Sequence, residues 1–176
     1  MKKSILAALS LLLVSSAGWA FTNEPDGFGN ITWGGSKDSR PDLSVQQDAR
    51  YGSRPVLTSK WYTSPTETFV LGGVTMDTPV YGFDPDLGFW DVTASSRERL
   101  SEDQKAELKK WLIQTYGEPD YSGTFKPVFG PQSPALSWRG DKTLLRVVFS
   151  ATVTVEYSSA QLANKAVLLD AKRRTK

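Results

Sequence analysis

Three carboxylates lie close together in the stretch YGFDPDLGFWD, at Asp84, Asp86 and Asp91. Carboxylates at such spacing suit either a calcium loop or a pair of catalytic acids. A calcium loop of the EF-hand type needs an oxygen ligand at its fifth position and a Glu at its twelfth, where this chain has Gly88 and Ser95. The sequence therefore predicts no metal ligands, and Pro-Asp-Leu-Gly favours a turn between two strands.

A pair such as Asp84 and Asp91 leaves one enzymatic alternative open, a glycan hydrolase that works with two carboxylates. Their spacing does not select this pair over any other, so we predict no catalytic residue. The chain contains no histidine. This excludes Ser-His-Asp and Cys-His catalysis and the usual zinc sites, and no cofactor is predicted.

The stretch DGFGNITWG, residues 26–34, contains a Gly-x-Gly pattern like that of phosphate-binding loops. In a dinucleotide fold these glycines follow a strand and begin a helix. Here Gly27 and Gly29 precede a strand pattern, and Thr32 takes the place of the third glycine. We predict that the glycines shape the entry to a strand whose Ile31 and Trp33 face the core.

Two charged motifs have structural interpretations. Arg139-Gly140-Asp141 spells an adhesion tripeptide, but a Gly-Asp pair between two strand patterns is ordinary for a hairpin. The C-terminal segment ends in a basic cluster at the negative pole of a predicted helix, which favours cations. Membrane contact is predicted only through this cluster, which comprises Lys172, Arg173, Arg174 and Lys176.

The first twenty residues, MKKSILAALSLLLVSSAGWA, have the order of a secretory signal: two lysines, a short apolar run and small residues. We predict cleavage near Ala20, with Ala17 as a second possible cut, and a periplasmic or secreted protein. Without Lys2 and Lys3 the chain has 19 basic and 19 acidic residues, so no nucleic-acid partner is predicted. The chain has no cysteine, so packing alone must stabilise it.

The clearest element is a helix from about residue 102 to residue 116. Ser101 and Gln104 have the spacing of a capping box, and Gly117 and Pro119 end the helix. Its apolar face comprises Leu108, Trp111 and Leu112. A C-terminal helix follows residue 158, where Ser158 and Gln161 again have capping-box spacing.

Strands are predicted where aromatic and β-branched residues lie between turn residues, at 61–63, 68–71, 74–83 and 88–94. The segment 144–157 alternates apolar and polar residues. Its predicted core face comprises Leu145, Val147, Phe149, Ala151, Val153, Val155 and Tyr157, and its polar face includes Arg146, Ser150, Thr152, Thr154 and Glu156. Because Gly, Pro and Asn are absent from the segment, we predict one long strand that bends at a bulge instead of reversing. Residues 21–60, apart from one short strand signal at 30–33, and the proline-rich residues 118–135 are predicted to be mostly loop.

These elements predict an α+β domain, with a single antiparallel sheet of about five or six strands. The helix of residues 102–116 packs on one face of this sheet, and the C-terminal helix follows it. The predicted organisation is a signal peptide at 1–20, the α+β domain at 21–157 and a basic helix or tail at 158–176.

Four motifs occur in order along residues 26–157: DGFGNITWG, VYGF with GFWDVT, LIQTYGEPD and LSWRGDKTLLRVVFS. In these motifs the chain resembles a group of small exported bacterial proteins of unknown function. That group has a D-G-F-x-x-I-x-W-G entry strand, antiparallel hairpins, a helix ending Y-G-x-P and a W-x-G-D-K hairpin. The layout is also similar to β-lactamase-inhibitor-like and outer-membrane-assembly periplasmic modules, which bind proteins. The resemblance implies no catalytic residues.

The first functional hypothesis is a non-enzymatic binding or assembly module of the bacterial periplasm, whose partner is another envelope protein. It depends on the supply of Trp and Tyr, which suits interfaces. The alternatives are the carboxylate-dependent glycan hydrolase and an envelope-surface-associating protein that uses the basic C-terminal helix.

Overall fold

A computed structural model describes residues 21–46, 59–126 and 131–175. In this part of the chain, an antiparallel sheet of eight strands accompanies two small sheets of two strands each. The strands are β1 (Gly27–Phe28), β2 (Ile31–Thr32), β3 (Ser44–Val45), β4 (Lys60–Thr63), β5 (Phe69–Leu71), β6 (Val74–Met76), β7 (Val80–Asp84), β8 (Gly88–Ser95), β9 (Tyr121–Phe125), β10 (Ser133–Arg139), β11 (Thr143–Phe149) and β12 (Val153–Ser159).

The large sheet has the strand order β3-β4-β7-β8-β12-β11-β10-β9, so β3 and β9 form its edges. The small sheets are the hairpins β1-β2 and β5-β6. The helices are α1 (Glu102–Tyr116) and α2 (Ala163–Arg174), with a short 3-10 helix at Lys37–Ser39. None of the helices in the described ranges is long and apolar enough to cross a membrane.

The predicted single sheet of five or six strands with one main helix is wrong, because the described chain is mostly β. One reason is that the segment 144–157 reverses instead of bending. The hydroxyl of Ser150 donates a hydrogen bond of 2.5 Å to the carbonyl of Thr152, so a side chain closes a turn that Gly or Asn usually signals. A second reason is that β9 and the start of β10 lie within residues 118–135, which were predicted to be loop.

The reversal preserves the predicted faces of this segment. Phe149 lies opposite Val153 in the register of β11 and β12, so alternate residues of both strands point the same way. The main core lies on this side of the sheet, where Leu145, Val147, Val155 and Tyr157 are buried.

Helix α1 has the predicted bounds and the predicted capping box. The Ser101 hydroxyl accepts the N–H of Gln104 at 3.2 Å, and the Gln104 side chain accepts the N–H of Ser101 at 2.9 Å. Leu108 and Leu112 are fully buried in the main core. Trp111 is half-buried at the edge of that core, so α1 packs through the predicted face.

Helix α2 packs on the opposite face of the sheet. Phe89 belongs to the main core, whereas its neighbour Trp90 packs in a second cluster with Trp61, Ala163 and Ala166. Adjacent residues of one strand point to opposite faces, so this cluster places α2 over β4, β7 and β8. The predicted cap at Ser158 is wrong. The helix begins at Ala163, five residues after Ser158, and its N-cap residue is Leu162, which makes no side-chain capping bond. The Ser159 hydroxyl accepts the N–H of Leu162 in the turn before the helix.

The segment before β1 is attached to the large sheet by hydrogen bonds. The Glu24 carboxylate accepts the N–H groups of Lys142 and Thr143, both at 2.6 Å. The Thr143 hydroxyl donates to the carbonyl of Pro25 and accepts the indole N–H of Trp33 at 2.7 Å. These bonds anchor the segment on the turn between β10 and β11.

Candidate functional site

The carboxylate of Asp84, the first candidate, forms an ion pair that links β7 to α2. Its side chain is fully buried and accepts hydrogen bonds from the guanidinium of Arg173 in α2, the shorter at 2.7 Å. It also accepts the N–H groups of Asp86 and Leu87, as expected for the predicted turn. Burial favours the neutral acid, but these donors outweigh it, and the pKa of Asp84 lies below its usual value.

Asp91, the second candidate, lies in the middle of β8, opposite Gly82 on one side and Ser158 on the other. It is 1% exposed. Neither Asp84 nor Asp91 lines the pocket or the groove described below. The structure therefore does not bring this pair together around either space.

The two glycine motifs have structural roles. Gly27 has φ of +153°, and a Cβ there would collide with the backbone of Ile31, because β1 turns directly into β2. A strand follows this glycine pattern, whereas a phosphate loop continues into a helix. In the Arg139-Gly140-Asp141 turn, a Cβ on Gly140 would collide with the Glu24 carboxylate. The chain's own N-terminal segment therefore packs against Gly140, while Arg139 and Asp141 on either side stay exposed.

Two side chains of the basic cluster of α2 form ion pairs within the molecule. Arg173 contacts Asp84 and Asp86, and Arg174 lies 2.8 Å from the buried carboxylate of Asp170. On its solvent side the helix exposes Leu168, which is 63% exposed. Lys176 lies outside the described residues.

The half of the sheet that lies beyond α2 presents a row of polar side chains from five strands. Register places Thr93, Glu156, Arg146, Ser137 and Tyr121 side by side across β8, β12, β11, β10 and β9. Exposure rises along this row, from 5% at Thr93 and 9% at Glu156 to 48% at Tyr121. The outer end of the row is open to solvent.

Arg146 is the central side chain of this row. Its guanidinium lies 3.5 Å from the Glu156 carboxylate and 4.5 Å from the centre of the Phe125 ring. A guanidinium over an aromatic face is attracted by the ring quadrupole. We call the surface around it the outer patch, defined as Tyr121, Phe125, Ser137, Arg139, Leu144 and Arg146.

A small pocket of about 80 Å³ opens in the outer patch. Its lining side chains on this face are Ser137, Arg139, Leu144, Arg146, Glu156 and Ser158. This volume accepts a few water molecules or one small polar group. With one acid and two guanidinium groups around it, the pocket suits hydrogen bonding to a partner's polar side chain.

A larger groove of about 360 Å³ lies on the other face of the sheet, between α1 and β9. Leu136 and Phe149 contribute apolar surface to it, and Lys105 and Lys109 line it from the helix. Lys105 is paired with Glu102 at 2.8 Å.

The sequence pattern found some of the outer patch and missed the rest. It placed Arg146 and Glu156 on the polar face of one strand, but only the reversal at Ser150 makes them cross-strand partners. Tyr121 and Phe125 lie in the segment predicted to be a connection, so no pattern marked them. A Tyr-Ser-Gly-Thr-Phe run is the signal that could have indicated a strand there.

Comparison with protein-family models, with curated proteins and with solved structures found no match. The resemblance to small exported bacterial proteins therefore stays a prediction.

Proposed function

We propose that this protein is an exported, non-enzymatic binding module that contacts another envelope protein through the outer patch. The observation that carries the proposal is the stacking of Arg146 on Phe125, beside the half-exposed Tyr121, on a part of the sheet beyond the α2 cluster. Tyr and Arg are enriched among the few residues that contribute most to binding at protein interfaces. The neighbouring pocket supplies hydrogen-bonding groups at the same place.

Site-specific photocrosslinking in the native host's envelope tests this proposal. A photoreactive amino acid replaces Leu144 in the outer patch, and a matched probe replaces Val70, which is 60% exposed on β5. We expect the probe at residue 144 to capture one discrete protein and the probe at residue 70 to capture none. Equal capture from both positions, or no capture from either, contradicts the proposal.

A charge reversal distinguishes a specific interface from incidental proximity. Arg139→Glu changes an exposed charge of the outer patch, and Lys172→Glu makes the same change on α2. We expect the first variant to reduce capture from residue 144 at least about tenfold, because rim charges guide association. The second variant should leave capture unchanged.

A further inference from the structure

The edge strand β9 has the features of a strand that another chain can extend. Within the described residues it pairs with β10 on one side, and the large sheet ends there. Residues 121–124 are exposed, and the strand Tyr-Ser-Gly-Thr-Phe contains no charge and no proline. An edge of this kind offers its outward N–H and C=O groups to an added strand.

The outward groups of β9 belong to Thr124 and Ser122. Thr124 lies opposite Pro134, which has no N–H to exchange with it. The backbone N–H and C=O of Thr124 instead contact the Tyr121 hydroxyl, so they point away from β10. Because backbone groups alternate in direction along a strand, those of Ser122 point the same way.

The hydroxyl of Tyr121 makes hydrogen bonds with both backbone polar groups of Thr124. The Tyr121 oxygen accepts the Thr124 N–H at 3.1 Å and donates to the Thr124 carbonyl at 2.9 Å. A residue in an added antiparallel strand makes the same two bonds with its own carbonyl and N–H. Tyr121 therefore takes the place of that residue and closes this position of the edge.

Gly123 makes the closed arrangement possible. A Cβ on residue 123 would lie 2.5 Å from the Tyr121 hydroxyl oxygen and 2.7 Å from the ring carbon that carries it. Any side chain at this position therefore displaces the Tyr121 ring from the edge.

The outward N–H and C=O groups of β9 are also spaced so that they can pair with those of β9 in a second molecule. A two-fold axis through Gly123 places Ser122 opposite Thr124 of the other copy, and Thr124 opposite its Ser122, so both pairs exchange hydrogen bonds. Glycine then faces glycine at the non-hydrogen-bonded position, which any small residue can occupy. The absence of charge in β9 means that the two strands do not repel each other.

We propose that the β9 edge is a strand-addition site that the Tyr121 hydroxyl keeps closed, and that the strand it fits is β9 of a second copy of this chain. The proposal concerns the sheet edge and does not depend on the function proposed for the outer patch. The chain is a monomer while Tyr121 covers Thr124, and displacement of the ring opens a self-complementary edge.

Sedimentation equilibrium of the purified chain tests this proposal. Tyr121→Phe keeps the ring and removes both bonds to Thr124, and Gly123→Ala displaces the ring by a different change. We expect both variants to dimerise with an association constant at least about tenfold above that of the unchanged chain. Tyr62→Phe, which removes a hydroxyl from β4 near the opposite edge of the sheet, is the matched control and should behave like the unchanged chain.

A second substitution shows whether the dimer uses β9. Ser122→Pro removes an outward N–H, keeps the pairing with β10 and is acceptable in an edge strand. Added to Tyr121→Phe, it should return the protein to a monomer, and Thr124→Pro serves the same purpose if the first proline prevents folding. Amide hydrogen exchange at Thr124 should become faster in monomeric Tyr121→Phe, since its N–H loses a partner.

Two results overturn the proposal. One is a folded Tyr121→Phe variant that stays as monomeric as the unchanged chain. The other is a Tyr121→Phe dimer that persists after either proline substitution, because its interface then lies elsewhere.

Discussion

At the scale of single residues, the buried charges of this protein hold separate segments together. Asp84 is one of the carboxylates that leave the hydrolase alternative open in the sequence, and in the structure it binds Arg173 of α2 across 89 positions of sequence. A carboxylate buried in this way is stable only with such a partner.

A second network holds the segment before β3 in the same way. The buried Tyr81 donates its hydroxyl to Glu67 at 2.7 Å, and Arg40 lies over the Tyr81 ring while it contacts Glu67 at 3.0 Å. Burial and the hydrogen bond to Glu67 raise the pKa of Tyr81, so its hydroxyl stays protonated. The network fixes the segment 29–42, which contains β2 and the 3-10 helix, against β7.

The Arg173 contact leads to a prediction about acid stability. Arg173→Ala leaves Asp84 buried without its cation and should lower the free energy of unfolding at neutral pH by clearly more than the control variant does. The folded-state pKa of Asp84 is depressed, so its stabilising effect is present above its ordinary pKa of about 4 and is lost as the pH falls through the folded-state value. Urea unfolding of both chains should therefore show a difference that narrows below about pH 4.

Lys172→Ala is the control for this prediction, because residue 172 is exposed in the same turn of α2. It should change the unfolding free energy by less than about 0.5 kcal/mol. A difference between Arg173→Ala and the unchanged chain that does not vary with pH would mean that the lost energy comes from packing.

At the scale of elements, the contact between the β5-β6 hairpin and α1 depends on the tip of the hairpin. Gly72 has φ of +55°, and a Cβ there would lie 2.9 Å from Leu108 Cδ1 and from two ring carbons of Trp111. Gly73 has φ of +82°, but no atom lies within 4 Å of the corresponding Cβ position. The two glycines thus share a backbone conformation that favours glycine and differ in their packing.

This difference leads to a prediction with a built-in control. Gly73→Ala should cost about 1 kcal/mol of unfolding free energy, from backbone strain alone. Gly72→Ala should cost about 1 to 3 kcal/mol more, because the added methyl group also separates the hairpin from α1. Thermal unfolding measures the stability of both variants. Equal losses of unfolding free energy would show that the added methyl group fits between residue 72 and Trp111 without separating the hairpin from α1.

At the scale of the whole molecule, α2 and the sheet form one packed unit. Ala163 and Ala166 are fully buried against Trp61 and Trp90, and Arg173 binds Asp84 near the other end of the helix. The two tryptophans lie on the sheet face that α2 covers.

Deletion of residues 160–176 should therefore damage the fold. Trp61 and Trp90 lose their cover, so we expect a red shift of tryptophan fluorescence and a lower urea midpoint. Leu168→Glu changes only the exposed side of α2 and should leave both values unchanged. An unchanged midpoint in the truncated chain would show that α2 adds nothing to stability. Vesicle binding through this helix is consequently better tested with Leu168→Glu than by deletion.

The sequence by itself determined the features that depend on neighbouring residues. The bounds and cap of α1, the turn after Asp84 and the core-facing side of residues 144–157 all follow from side chains within a few positions of each other. The missing histidine limits the available chemistry in the same direct way.

Only the tertiary structure decided the number of strands and the surroundings of the functional surface. A side-chain hydrogen bond at Ser150 replaces the usual turn residues, and β9 is a strand because β10 pairs with it. The contacts of Arg173 with Asp84 and of Arg146 with Phe125 join positions far apart in the chain. Local patterns do not carry such pairings, since the free energy that selects them arises when separate elements pack together.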